Sequence, residues 1–528
     1  MRSIHRGAPL LVVGTVIGGL AVPAAQGQAQ SLTTDLGTYG RSITTTSPRA
    51  QEAFDQGLRL AYGFARAEAI LRFREAQVFD PACAMCAWGE AWVTGPYQNN
   101  PAGVGDEARA LAAAERAHSL ATGVEAWEEA LIRAMRLRYR SDDGPGHGAG
   151  NRAYADAMRT AAAAHPENTD VQTLSAEAQM MLRPWHLYRD DGTPFPATVV
   201  ATRTLERVLT VDVDHPGACH LYIHAVEAAR PEDAEACADR LAAVIPGISH
   251  IRHMPSHIYV HVGRYGDAVA ANQAARRVDR AAARGDGVAV YPTHNTMMLM
   301  FSAWLDGQSA VAIDAARDLA VERPEDEHQR YLMLARVGHG DQLLAGTVGP
   351  ESAFQNAMWN FARGLAQLRT GERAGARAAL EEIVATRNAT DPDATYHFFR
   401  HSQRRLLGIA ENILAGEILA ADGDGAAATD RLEAAVTLED GLGYSEPEPW
   451  PLPARDFLGA LLLDEGDAER AEDVYRDALA DHADNGWALI GLRDSLRMQD
   501  RPAEAETVDR LFERAWQRAD VTLAASRF

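Results

Sequence analysis

At 528 residues the chain is too long to bury itself around one core, so several domains or a repeat array are expected. A hydrophobic fraction of 47% fits a folded protein, while the net charge of −22 argues against a nucleic-acid partner, which would need a basic patch. The opening, MRSIHRGAPLLVVGTVIGGLAVPAAQGQAQ, has a basic start (Arg2, His5, Arg6), an apolar stretch from about Ala8 to Val22, and then small residues. That is the pattern of a secretory signal peptide over 1–27, with cleavage near Ala25 or Gly27, and it predicts a periplasmic or secreted protein. No later segment has the roughly 18 consecutive apolar residues of a membrane span, so none is expected after cleavage.

From there the chain is alanine-rich and helical in period, broken at short intervals by Gly-Asp, Gly-Glu or Pro-Glu turns, with no convincing strand alternation. Gly57, Ala69, Phe73, Ala76 and Pro81 are spaced 12, 4, 3 and 5 apart, and Gly459, Ala471, Tyr475 and Ala478 repeat the first three spacings. This resembles the tetratricopeptide repeat (TPR) family, and the resemblance implies an all-α solenoid of helix-turn-helix units, with small residues where helices touch and an aromatic between neighbours. It covers about two thirds of the chain, strongly at the two ends and loosely in the middle.

"PACAMCAWGE" places Cys83 and Cys86 one helical turn apart. Two thiolates around Met85 would suit a soft metal or redox role, whereas an oxidising compartment favours a local disulfide. Next come a loop, "SDDGPGHGAGN" (141–151), and an aromatic, acidic insertion, "RPWHLYRDDGTPFP" (183–196). Cys219 and Cys237 fall on opposite helices of one hairpin, where antiparallel packing predicts a bridge with Cα atoms about 5.5–6 Å apart.

The histidines follow. "HPGACHLYIHAVEAARPEDAEACADRL" sets His220, His224 and Glu227 on one helix face, at i, i+4 and i+7. "HIRHMPSHIYVHVGRY" then carries His250, His253, His257 and His261 at offsets of three, four and four. His220 to His253 and His224 to His257 are each 33 residues, close to one repeat, so the two pairs should face each other on adjacent first helices lining the groove. "YPTHN" adds His294 near the start of the next first helix. An imidazole stripe makes a poor core, because each ring has two nitrogens to satisfy. We therefore expect His220, His224, His253 and His257 to converge on one transition metal ion (Zn, Fe, Cu or Mn), reachable from the groove, with Glu227, His261 and His294 beside it. The alternative is a hydrogen-bonded polar ladder completed by Arg252, Tyr222, Tyr259 and Glu227.

Downstream, "VGHGDQLLAGTVGP" (337–350) reads as a linker, dividing an N-terminal array (28–340) from a C-terminal one (341–528). His397 and His401 repeat the i, i+4 spacing without a partner pair one repeat away and are expected as core or surface. "YSEPEPWPLP" (444–453) is too proline-rich for a helix and is expected to lie across the surface. The phrases around Cys83, His220, His253 and His294 together resemble a group of exported bacterial TPR proteins, which implies fold and export but no reaction. Two functions remain: an exported repeat protein with a His/Glu metal centre, catalytic if a coordination position stays open, or a repeat scaffold that binds a peptide or envelope protein without metal. Nucleophile-elbow, Walker, dinucleotide and H-E-x-x-H patterns are absent.

Overall fold

The computed structural model describes residues 34–528 except 105, 140–147, 190, 347 and 397–400. The expected signal peptide, most of the 141–151 loop and His397 lie outside the described residues. The rest is an α-solenoid of antiparallel helix pairs. Regular strand among the described residues is confined to a two-residue pairing of Thr395–Tyr396 with His401–Ser402.

The repeat spacing has a simple packing origin. Phe73, on the helix Arg66–Phe79, fills the space between Gly57 of the preceding helix and Gly89 of the following one. A Cβ at either glycine would stand 2.8 or 2.4 Å from the Phe73 ring. Near the other end Tyr475 is wedged between Gly459 and Gly491, where a Cβ would lie 2.5 or 2.0 Å away. One aromatic thus spaces three helices, and glycine is required because any side chain would occupy the same volume.

Residues 34–528 form one compact unit. The 337–350 segment is not the open linker expected from its glycines. It holds a short helix, Gly340–Ala345, whose Leu343 is buried with Ile313, Tyr331, Leu334 and Ala362. Beside it Arg336 donates to Asp456 at 2.8 Å and stacks on Trp304 and Trp487, binding helices from both sides of that segment together.

The 444–453 segment also departs from expectation. It is non-helical, as its prolines require, but Ser445, Glu446, Trp450 and Leu452 are buried, so it runs through the molecule as an inner strap. Proline removes backbone donors that would otherwise need partners in the interior, which makes a proline-rich segment easier to bury than its composition suggests.

All four cysteines are bridged. Cys83 pairs with Cys86 at the start of the helix Ala84–Thr94, so no free thiolate pair exists there for a soft metal. Cys219 and Cys237 are joined as expected, with Cα atoms 5.2 Å apart, and pin the helix that carries His220 and His224.

Candidate metal centre

The first helix of the site, Pro216–Val226, starts cleanly because His215 caps it. Its Nδ1 accepts from the Ala218 amide at 3.1 Å, and Pro216 takes the first helical position. With Nδ1 used as acceptor, His215 Nε2–H donates to the Tyr39 hydroxyl at 2.9 Å, and Tyr39 and Tyr62 both donate to buried Asp170. Gly217 lets this helix approach Tyr62 closely, since a Cβ there would sit 2.3 Å from the ring.

The second helix begins earlier than its proline suggests. Ser249 is fixed by Val290, whose amide donates to the Ser249 hydroxyl at 2.8 Å, so a helix runs Ser249–His253. It passes through Met254 in right-handed helical geometry and resumes as Pro255–His261. Pro255 costs one backbone donor without breaking the path, and His250 therefore joins the same stripe as His253 and His257. The third helix, Pro292–Leu305, presents His294 in its first turn, behind Tyr291 at φ +53°. Phe64, at φ +58°, packs its ring against His220, His224 and His250. Two non-glycine residues in left-handed backbone at one site is local strain that the surrounding packing must hold in place.

Three groups of donor atoms result, each with its members within 4.8 Å of one another: His220, His224 and His250; His253, His257 and His294; and Glu227, His257 and Glu446. The expected meeting of the two repeat-related pairs is realised through His224 and His257, whose ring centroids are 5.8 Å apart. The four expected histidines do not form one set, however. His250 completes the group of His220 and His224, while His294 completes that of His253 and His257, because the earlier helix start adds a further turn of histidines. His261 lies at the edge, 2.8 Å from Glu446.

Outer partners mark which nitrogen is bare in four of the rings. His220 Nδ1–H donates to the Tyr62 carbonyl at 2.6 Å. His253 Nδ1–H donates to Asn272 Oδ1 at 2.6 Å, and Asn272 is oriented by its own amide donating to the Ala268 carbonyl. His224 Nδ1–H donates to Glu227 Oε1 at 3.2 Å, and His257 Nδ1 faces Glu227 Oε2 at 3.0 Å and the Glu446 carboxylate. These four rings thus keep Nε2 unprotonated and turned inward, the arrangement that second-sphere partners impose on metal-bound histidine. His253 Nε2 and His257 Nε2 are only 2.7 Å apart, and His224 Nε2 is buried with no hydrogen-bond partner.

Burial pushes the pKa values of His220, His250 and His253 well down, and that of His257 down against the pull of Glu227. Burial alone would raise the Glu227 carboxyl, but the His224 and His257 rings hold it well below the usual carboxylate range. Burial thus favours the neutral form of His220, His250, His253 and His257 beside an anionic Glu227. Imidazole and carboxylate together suit borderline transition ions rather than calcium or magnesium.

The histidines are not open to a groove, as the repeat geometry had suggested. His220, His224, His250, His253 and His257 are each at most 3% exposed; Phe64 packs on the first three, and Glu446 of the 444–453 strap lies against His257. His261 and Glu446 line a cavity of about 400 Å³ together with Glu439, Glu448, Trp450 and His482. Glu439 is pushed up to about 8 by burial, and His482 is raised against burial to about 9 by Glu448.

No family model and no curated protein matches the chain. Among solved structures it is similar to a tetratricopeptide repeat protein from Parabacteroides merdae (13% identity over 64% of this chain and 98% of that one, TM-score 0.32). It is also similar to yeast Tom70 (10% identity over 87% and 89%, TM-score 0.28).

Proposed function

We propose that this chain is an exported TPR-repeat protein that holds a transition metal ion at His253, His257 and His294, with Glu227 and Glu446 behind His257. The observation that carries the reading is the 2.7 Å approach of two inward nitrogens, His253 Nε2 and His257 Nε2, whose protons are committed elsewhere. Two bare lone pairs at that distance repel unless a cation lies between them, and burial disfavours a shared proton because it opposes imidazolium. Three imidazoles leave a fourth position, and a water bound there acquires a pKa near neutrality on zinc. The cavity beside His261 and Glu446 supports access to that position. Export is supported by the pairing of all four cysteines, which requires an oxidising compartment.

The test is elemental analysis of mature protein after exposure to Zn(II) or Cu(II) and extensive dialysis. Retained metal in the wild type, lost in His253→Ala/His257→Ala, is the expected result. Absence of retained metal would favour the scaffold alternative, a repeat surface that binds a peptide or envelope protein.

A further inference from the structure

Resting on that reading, the geometry points to a second metal site, at His220, His224 and His250, so that we propose a two-ion centre for imidazole-preferring divalent transition ions. The two histidine triads share no residue. A single tetrahedral ion accepts four ligands and cannot take six converging nitrogens. With bonds of about 2.0–2.1 Å, such an ion sets neighbouring nitrogens roughly 3.4 Å apart. His220 Nε2 and His250 Nε2 stand 3.2 Å apart in the first triad, and His257 Nε2 and His294 Nε2 stand 3.4 Å apart in the second. One pair in each triad therefore stands at or near that spacing, and His253 Nε2 and His257 Nε2, 2.7 Å apart, would open by about 0.7 Å to seat an ion.

Two of the three rings of the first triad are oriented from outside, as His253 and His257 are in the second. Tyr62, held by Asp170, takes the His220 proton, and Glu227 takes that of His224. What remains without a hydrogen bond is His224 Nε2, together with Nδ1 of His250, and Phe64 stacks on both rings. Glu227 links the two sites. One of its oxygens orients His224 and the other faces His257, one ring from each triad. It is a positioning residue for both ions at once.

Metal-free mature protein is titrated with Co(II), followed by its visible ligand-field absorption, with Zn(II) competition against a chromophoric chelator. Saturation at two equivalents is expected, with His220→Ala/His224→Ala and His253→Ala/His294→Ala each saturating at one. Saturation of the wild type at one equivalent would overturn the second site while leaving the metal reading intact, and no binding would overturn both. The wild-type end-point decides the number of ions even if a double variant fails to fold. Glu227→Gln should weaken both ions by about 10- to 100-fold and alter both cobalt spectra. A change confined to one of the two would remove Glu227 from its shared role.

Discussion

His257 is the residue on which most of the site turns. Its Nε2 faces His253 and His294 while its Nδ1 faces Glu227 and Glu446. Removing it takes away a ligand and strands two buried carboxylates. His257→Ala should therefore lower metal retention at least tenfold, whereas His261→Ala, at the half-buried edge, should change it by less than about threefold; elemental analysis distinguishes the two. The buried histidines also set an acid limit for the metal-free protein. Burial lowers His261 to about 4 and His328 to about 3, both below the unfolded value of about 6.5. Between those limits the unfolded chain binds protons that the folded chain refuses, so stability falls as pH drops below about 6.5; above it the sign reverses, because Glu439 (about 8) and His482 (about 9) hold protons that the unfolded chain has released, so stability also falls as pH rises toward 9. Thermal melts of metal-free protein should show Tm lower at pH 5 than at pH 7.5, where the buried histidines outnumber the two groups of opposite sign, and lower again at pH 8.5, where Glu439 and His482 lose their protons.

At the level of the helices, the repeat rhythm carried its own explanation. Phe73 and Tyr475 stand where an aromatic must fill the gap between glycines, and that pattern was legible because spacing alone encodes it. Phe73→Ala would leave a void among three helices and should cost about 3–5 kcal/mol, read by chemical denaturation. The neighbourhood of His224 and His257 was legible for the same reason, since a 33-residue offset maps to adjacent helices. The grouping of donors was not. It depends on where the second helix begins, and Pro255 marked that start too late: the hydrogen bonds of Ser249 with Val290, 41 residues away, add the turn that brings in His250. Glu446 could not have been found at all from local pattern, because its proline-rich surroundings read as surface. Only the tertiary path of the strap places it against His257.

Across the molecule, one tie between helices distant in sequence is ionic and aromatic rather than aliphatic. Arg336 and Asp456 pair in the interior, with the guanidinium 3.7 Å from the Trp487 ring centroid and 4.6 Å from that of Trp304. Trp487 also donates to the Trp304 carbonyl at 3.1 Å. Removing one partner of such a pair leaves a buried charge, so Asp456→Ala should destabilise residues 34–528 by about 3–5 kcal/mol in a single cooperative transition; two separated transitions would show that the helices on either side unfold independently. The strap has a further consequence, in time rather than in space. His261 and Glu446 are 185 residues apart in sequence, so the cover over the histidines closes a loop of more than a third of the chain. Neighbouring helices can pair locally and early, but that closure is a high-contact-order event which waits for the late helices to exist and pack. During folding the imidazole stripe therefore stays open to solvent after its own helices have formed, and it is sealed only when the last third of the protein arrives.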